Sequence, residues 1–471
     1  MALASSWRAV LTSPVPISIL CPAPSGKLFD IIQYVSPHEL AVGVQSGAVP
    51  FFRINGFGRI GAPARNVEQY TRVALIGDAD NIASHSAQTA FVTAALLMAR
   101  SGHQVYLCCP DTPLAGHQPP LAQGQMIEQL QRIGTDLLPG VQFLTEIPTA
   151  EIDLAIALGN SEISIQARRY ISLNAESWSG RITPQDGTVR WKADRWPLGG
   201  MVAAALAATE AFKCAIKKLK RFARNPDRME TVFADTTDIE FVLAPADTPT
   251  SSQLGGFDCI SGGAIINAIL YVLARIPGVN GNTRVIEPDR AALSNLNRYM
   301  LLLHSHLETL KAEDLAVVCK EAGLDIEPIS ERYEQRHLDS IKLASSVLVG
   351  VDDIPTRWLV QRANPEWLGV GATTHWSAMA SFHHQGLGCA ECLHPFDDPN
   401  DAPIPTAAFV SFWAGLLTAG YFLSHLGGTL QKASEQQVYL TPFRPENSLR
   451  SAVPIRAECP NCKALAPVEI S

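Results

Sequence analysis

Charge is scarce in this chain. Lys, Arg, Asp and Glu together make up 17% of its 471 residues, against 47% apolar residues. That balance excludes an intrinsically disordered chain and leaves ample material for large cores. Basic runs are nearly missing. The formal net charge is -8, and the one cationic cluster, "KKLKRFAR" at 217–224, follows an alanine-rich apolar stretch. It reads as a solvated helix C-terminus, where cations complement the helix dipole. Nucleic acid is therefore not an expected main partner. A convincing export signal is also missing: "MALASSWRAVLTSPVPISIL" holds a single Arg, and prolines break its apolar part. The expected location is cytoplasmic. The stretch 402–424 lacks any charge, yet starts with Pro403 and Pro405 and contains Gly415 and Gly420. Its flanks carry no strong cationic bias, so it reads as a buried helix and not a membrane span.

A chain of this length exceeds one typical core, which points to two domains. Residues 1–70 alternate short apolar runs with Gly and Pro and read as a small β-rich extension. A first α/β domain is expected over 71–245. Its "VALI" at 73–76 reads as a buried strand ending at Gly77. A helix over 87–100, a strand within "HQVYLCCPD" and a further strand in "IDLAIALGN" follow, then a helix over 197–219. Strand, helix, strand is one βαβ unit of a parallel sheet. A second α/β domain over 246–471 repeats this order. "FDCISGGAIINAILYVLARI" gives strand, Gly-Gly turn and helix; "TRVIEPD" and "SSVLVGVDD" are later strands ending in acids; a long uncharged helix runs from Thr406. The linker at 243–256 is rich in Pro, Ser and Thr. The fold class is thus α/β, with two tandem doubly wound (Rossmann-like) domains.

Cysteine is present in moderate number. Of ten, four form two C-x-x-C pairs, Cys389-Cys392 ("CAEC") and Cys459-Cys462 ("CPNC"). Four thiolates in two such turns make a closed tetrahedral site, the pattern of structural Zn²⁺. That site would tie the chain's tail to the segment before the last long helix. Redox chemistry is the rival reading, for which one pair would suffice. The other six cysteines are scattered among apolar residues, as buried free thiols are.

The turn at Gly262-Gly263 follows a strand and opens a helix. Such a turn lets backbone amides approach a phosphate at a helix N-terminus. The full G-x-G-x-x-G fingerprint is absent, because Ile260 and Ile265 hold the outer positions. A tight connection without a ligand would read the same way. Glu287 ends the next strand, about where an acid bonds ribose hydroxyls; a solvated strand end is the plainer reading. In "SNLNR", Ser294, Asn295 and Asn297 are turn and cap formers. Arg298 brings a rigid fork suited to phosphate, and Lys311 a point charge. Placed just beyond a ribose-type acid, these residues suit a triphosphate.

On these residues the sequence resembles a family. "EPDRAALSNLNRY", Lys311 and "GVDDIPTR" look like the adenylation domain of the ThiF/MoeB/HesA superfamily, which includes ubiquitin-activating enzymes and bacterial relatives. The match in order runs from about Gly255 to Lys463. The resemblance implies that Gly262, Gly263, Glu287, Asn295, Arg298, Lys311 and Asp352 bind ATP, with Glu287 on the ribose. Arg298, Lys311 and Asp352 would be catalytic, and Asp352 would hold Mg²⁺ with Arg357 steadying its strand end. Glu287 stands where the family usually has Asp. The first domain would be the inactive partner of a pseudo-dimer, and Arg65 or Arg72 would reach across to the ATP.

Several relatives carry a thioester-forming cysteine after the first C-x-x-C pair or in the crossover loop before it. Neither segment has one here, and Cys259 and Cys319 sit in a predicted strand and helix. His375, His383 and His384 crowd the crossover segment, as core or surface histidines also would. The implied activity is adenylation of the C-terminus of a ubiquitin-like protein. Transfer to a thiol of a ubiquitin-conjugating-type partner would follow, as in bacterial conjugation operons, some of which act against phage. Sulfur-carrier or peptide adenylation is the second reading, and a catalytically dead zinc-stapled scaffold the third. The implied cofactors are ATP, Mg²⁺ and Zn²⁺.

Overall fold

The computed structural model describes residues 71–465 except 148–149, 163, 186–190, 193–194, 219–225, 375, 398–406 and 430–431. The extension expected over 1–70, Arg65 and His375 lie outside the described residues. Two sheets organise the chain. The front sheet holds β1 (Arg72–Ile76), β2 (Gln104–Cys108), β3 (Phe143–Leu144), β4 (Leu154–Leu158), β5 (Tyr170–Ala175), β6 (Ser179–Thr183) and β7 (Ile239–Val242). Its order is β3-β2-β1-β4-β5-β6-β7. The rear sheet holds β8 (Gln253–Ile260), β9 (Asn280–Ile286), β10 (Leu324–Ile329), β11 (Ser346–Val349), β12 (Trp367–Thr374), β13 (Ser377–His384), β14 (Gln437–Leu440) and β15 (Leu449–Ser451). Its order is β10-β9-β8-β11-β12-β13-β14-β15.

The two orders superimpose strand by strand, with β15 as an addition. In each, the first five strands pair in parallel and the next two add antiparallel. Parallel strands are covered on both faces, which is why "VALI", "LAIAL" and "SVLV" read as unbroken apolar runs. The helices follow the same plan. α1 (Ala79–Ile82), α2 (His85–Arg100), α3 (Met126–Leu137), α4 (Leu198–Lys218) and α5 (Pro226–Val232) belong to the front half. α6 (Ala264–Leu273), α7 (Lys311–Cys319), α8 (Ile354–Arg362), α9 (Ala390–Leu393), α10 (Ala408–Leu426) and α11 (Pro460–Leu465) belong to the rear half.

The halves pack through their most apolar helices. α4 and α10 are long and apolar enough to cross a membrane by length and composition, yet both are largely buried inside the protein. A helix apolar all round is a core helix. Phe212 of α4 meets Phe409 of α10 at 5.1 Å, and Phe241 of β7 meets Trp413 edge-on at 5.1 Å. The Tyr271 hydroxyl of α6 lies 2.9 Å from Thr93 Oγ1 of α2. One continuous apolar cluster therefore runs through both halves.

Two expectations need correction. The cations at the end of α4 are not simply solvated: Lys217 pairs with Asp235 at 2.8 Å and Lys218 with Asp153 at 2.6 Å. Asp153, just before β4, and Asp235, between α5 and β7, come within reach once the sheet forms. The segment read as a crossover is the antiparallel β12–β13 hairpin, with Trp367 opposite His384 and Val370 opposite Ser381. A nearly uncharged run of small, β-branched and aromatic residues suits buried strands better than a loop. His383 is accordingly buried in β13, with Nδ1 on the Gly388 carbonyl at 2.7 Å.

Candidate active site

In doubly wound sheets, ligands bind beyond the carboxyl ends of the strands where the order reverses. Here that point lies between β8, β9 and β11. Gly262 and Gly263 link β8 to α6, and Gly263 is the N-cap residue with no side chain to cap the helix. Ser261 takes φ +94°, a left-handed conformation costly for a residue with a Cβ. Its hydroxyl accepts from Gly263 N–H at 2.9 Å and donates to Glu287 Oε2 at 3.2 Å, which holds the turn in place. A side chain on Gly262 would meet Glu287 Cγ at 3.0 Å and Lys311 Cβ at 3.2 Å. Glycine is needed there because both neighbours come so close.

Glu287 is buried just past β9. Its Oε2 accepts from Gly262 N–H at 2.6 Å, and its Oε1 from Asp289 N–H at 2.9 Å. Lys311, the first residue of α7, lies 3.6 Å from Glu287 Oε1 and 3.0 Å from Asp289 Oδ2. Burial works to lower the Lys311 pKa. Tyr299, Glu287 and Asp289 outweigh it, so the ammonium is held above its ordinary value. The lysine therefore stays charged at neutral pH. Of the contacts around Glu287, the one to Lys311 is the longest and the easiest to exchange.

The stretch between β9 and α7 folds as a short 3₁₀ turn at Leu293–Asn295. Asn295 Oδ1 accepts from Ala292 N–H at 2.8 Å, so its carbonyl serves as a cap. Arg298 Nη1 donates to the Ser294 carbonyl at 2.5 Å and to Asn297 Oδ1 at 2.9 Å. Its guanidinium lies 5.7 Å from the Tyr299 ring. Tyr299 itself has no counterpart among the expected site residues. It is buried, and its hydroxyl would lie 3.7 Å from a Cβ on Gly263. Burial raises its phenol above the usual range; Lys311 and Arg298 pull it back, while Glu287 and Asp352 push further upward. All four expected charged residues thus act on one hydroxyl. An aromatic right after Arg298 is the signal in the sequence, though it also reads as core.

Asp352 is exposed just beyond β11. Asp353 caps α8, accepting from Thr356 N–H at 2.8 Å. Arg357 is buried and donates to the Val351 carbonyl from Nε at 3.1 Å and from Nη2 at 2.7 Å. Its Nη1 lies 3.2 Å from His394 Nε2. This guanidinium links the Asp352 strand end to the residue that follows α9.

The paired cysteines lie on and just before α9 and α11. The Sγ atoms of Cys389, Cys392, Cys459 and Cys462 all lie within 4.8 Å of one another. Cys389 and Cys459 are 3.3 Å apart, and Cys392 and Cys462 are 3.4 Å apart. Sulfurs around a tetrahedral zinc with Zn–S near 2.3 Å would be about 3.8 Å apart, so the four fit one ion. Arg456 N–H donates to Cys392 Sγ at 3.4 Å, as an outer contact to a thiolate ligand would. Neither Cys259 nor Cys319 resembles a nucleophile: both are buried, and burial pushes each thiol up to about 12. Arg72 stands beside Tyr106 in the front half, and its backbone N–H donates to Asp153 Oδ2 at 2.8 Å.

The rear half matches the model of the ThiF family over 263–464, in line with the resemblance to the ThiF/MoeB superfamily. The front half matches the model of the BilD N-terminal domain over 72–227. Among individual relatives, the uncharacterized protein y4jF of Sinorhizobium fredii is 22% identical over 273 residues, 57% of this chain and 51% of that protein. The maize adenylyltransferase and sulfurtransferase MOCS3-1 is 21% identical over 126 residues, 25% of this chain and 27% of that protein. The chain thus spans about half the length, or less, of these curated relatives. A crystal structure of E. coli MccB with succinimide aligns over 63% of this chain and 98% of its own, at 15% identity and a TM-score of 0.40.

Proposed function

We propose that the chain is an ATP-dependent adenylating enzyme acting on the C-terminus of a ubiquitin-like protein. The observation that carries this reading is the rear switch point. Gly262, Gly263, Glu287, Lys311 and Tyr299 lie within contact distance there, with Arg298 and Asp352 beside them. The front-half match to a BilD N-terminal domain supports the ubiquitin-like substrate.

A ribose hydroxyl donates to Glu287 Oε1 and takes the place of the distant Lys311 contact. Lys311 is thereby released toward the phosphates, where Arg298 and the amide side chain of Asn295 add donors. Asp352, an exposed carboxylate of the oxygen-ligand type, would hold Mg²⁺, which supplies charge neutralisation when bound. The substrate's terminal carboxylate oxygen attacks the α-phosphorus, and the bond to the pyrophosphate oxygen breaks. Arg298 and Lys311 offset the charge that develops on the leaving group. The acyl-adenylate then passes to a thiol of a conjugating partner, and AMP leaves. The cysteine cluster binds Zn²⁺ and fixes the tail against α8, and the enzyme works in the cytoplasm.

Adenylation within sulfur transfer is the second reading, favoured by the likeness to the maize adenylyltransferase and sulfurtransferase. Pyrophosphate exchange with purified ubiquitin-like proteins separates the two. The first reading expects exchange that depends on such a protein and is lost in Asp352→Ala. Exchange unaffected by that substitution would count against it, and exchange only with a sulfur carrier would favour the second.

A further inference from the structure

Arg100 is the last residue of α2 in the front half, and it is buried with no acid among the described residues bonded to its guanidinium. Its partners are backbone carbonyls of the rear half. Nη1 donates to Leu296 at 2.5 Å; Nη2 donates to Leu302 at 2.7 Å and to Met300 at 3.3 Å. A longer contact, 3.5 Å, joins Nη1 to the Leu137 carbonyl at the end of α3. The three rear carbonyls bracket Arg298 and Tyr299. Nearby, Asn267 Oδ1 of α6 accepts from Leu301 N–H at 2.8 Å. Asp136 of the front half takes Ser305 N–H and hydroxyl, each at 2.7 Å.

A buried charge without an opposite partner is expensive, and apolar side chains of similar size are often as good or better for stability. A guanidinium there needs another reason. Its planar fork offers several fixed donors, and three carbonyls of the segment 296–302 receive those of Nη1 and Nη2. Burial lowers the Arg100 pKa to about 9, so the side chain remains a cation at neutral pH and can donate to all of them.

We propose that Arg100 is a positioning residue: the front half clamps the turn that presents Arg298 and Tyr299 to the nucleotide, and the rear site is incomplete without it. The inference rests on the reading of that site as an ATP site. It gives the front half a part in the reaction without any contact to substrate.

The test compares the full-length wild type with Arg100→Met and Arg100→Lys in three measurements: thermal stability, amide exchange along 293–302, and pyrophosphate exchange against ATP concentration. Methionine keeps the volume and removes the donors, whereas lysine can reach one carbonyl. Arg100→Met should melt within a few degrees of wild type or above it. Its exchange over 293–302 should be about 10-fold faster, with KM for ATP up about 10-fold and kcat within about threefold. Arg100→Lys should fall between. Wild-type exchange and wild-type KM in a folded Arg100→Met would overturn the proposal. So would faster exchange spread evenly over the chain together with a fall in melting temperature, which marks mere packing. Should Arg100→Met fail to fold, Arg100→Lys decides on the same measurements. A wild type without any pyrophosphate exchange defeats the ATP reading, and the amide exchange still tells whether Arg100 orders the turn.

Discussion

β1 and β8 hold the same place in their sheets, yet their ends differ. β8 runs through Ser261 into two glycines and straight into α6. β1 ends at Gly77 and Asp78, and Asp78 caps the single turn α1 by accepting from Asn81 N–H at 2.8 Å. Asn81 Nδ2 donates to Asn160 Oδ1 at 3.0 Å, beyond β4, and Asn81 Oδ1 accepts from Trp191 N–H at 3.0 Å. Asp78 N–H donates to Ser161 Oγ at 3.0 Å. In the front half the strand ends are tied to one another. In the rear half the equivalent ends carry a buried acid bonded to the glycine turn, with a lysine beside it at a longer, exchangeable contact. At the end of β2 stand Cys108 and Cys109, where β9 leads to Glu287. Burial pushes these thiols up to about 11 and about 12. The comparison teaches that one frame can be kept for packing while its switch point is closed by its own side chains.

The largest effect expected on this contrast comes from the cysteine cluster, found only in the rear half among the described residues. Zinc in peptide models contributes about 10–16 kcal/mol. Cys459→Ser should remove one bound zinc per chain, read by metal analysis, and raise amide exchange in β13, α9 and α11 before the front sheet. Exchange rising first in the front sheet would break the comparison. Next come Lys311→Ala and Arg298→Ala, each expected to slow pyrophosphate exchange by about 10²–10³-fold, as loss of a transition-state donor does.

A buried histidine in each half gives a third handle. Burial lowers His103 in the front half and His383 in the rear half to about 4 from an ordinary value of 6.5. The unfolded chain then binds more protons below 6.5, so stability falls as the pH drops from 6.5 toward 4. Each histidine should account for roughly 3 kcal/mol of that loss. His103→Gln or His383→Gln should flatten the denaturant-derived stability curve in that window, and an unchanged slope in both would contradict the burial argument. The smallest effect is expected from Asn81→Ala. It should cost about 1–3 kcal/mol of stability through lost buried hydrogen bonds. Pyrophosphate exchange per folded molecule should stay within about twofold, since the residue serves only the front switch point.

Much of this frame is legible in the sequence because parallel strands and core helices are written as unbroken apolar runs. "VALI", "SVLV" and the uncharged run of α10 need no long-range information. The C-x-x-C pairs are legible for the same reason, since local spacing fixes their chemistry. What sequence could not supply is pairing across distance. The antiparallel strands β12 and β13 look like a connecting segment until each finds the other. Arg100 is legible only as the end of an apolar helix, and only the packed halves turn it onto three carbonyls some 200 residues away. Tyr299 reads as core, because its hydroxyl's position depends on the glycine turn and α7 meeting in space. Asn295, a turn and cap former by type, caps its own turn through Oδ1.

The central contention, that nucleotide handling belongs to the rear switch point alone, is tested most directly by titrating Mg²⁺-ATP calorimetrically into the full chain. The account predicts one site per chain, lost in Lys311→Ala and retained in Asn81→Ala. Two sites per chain, or a site abolished by Asn81→Ala and retained by Lys311→Ala, would contradict it.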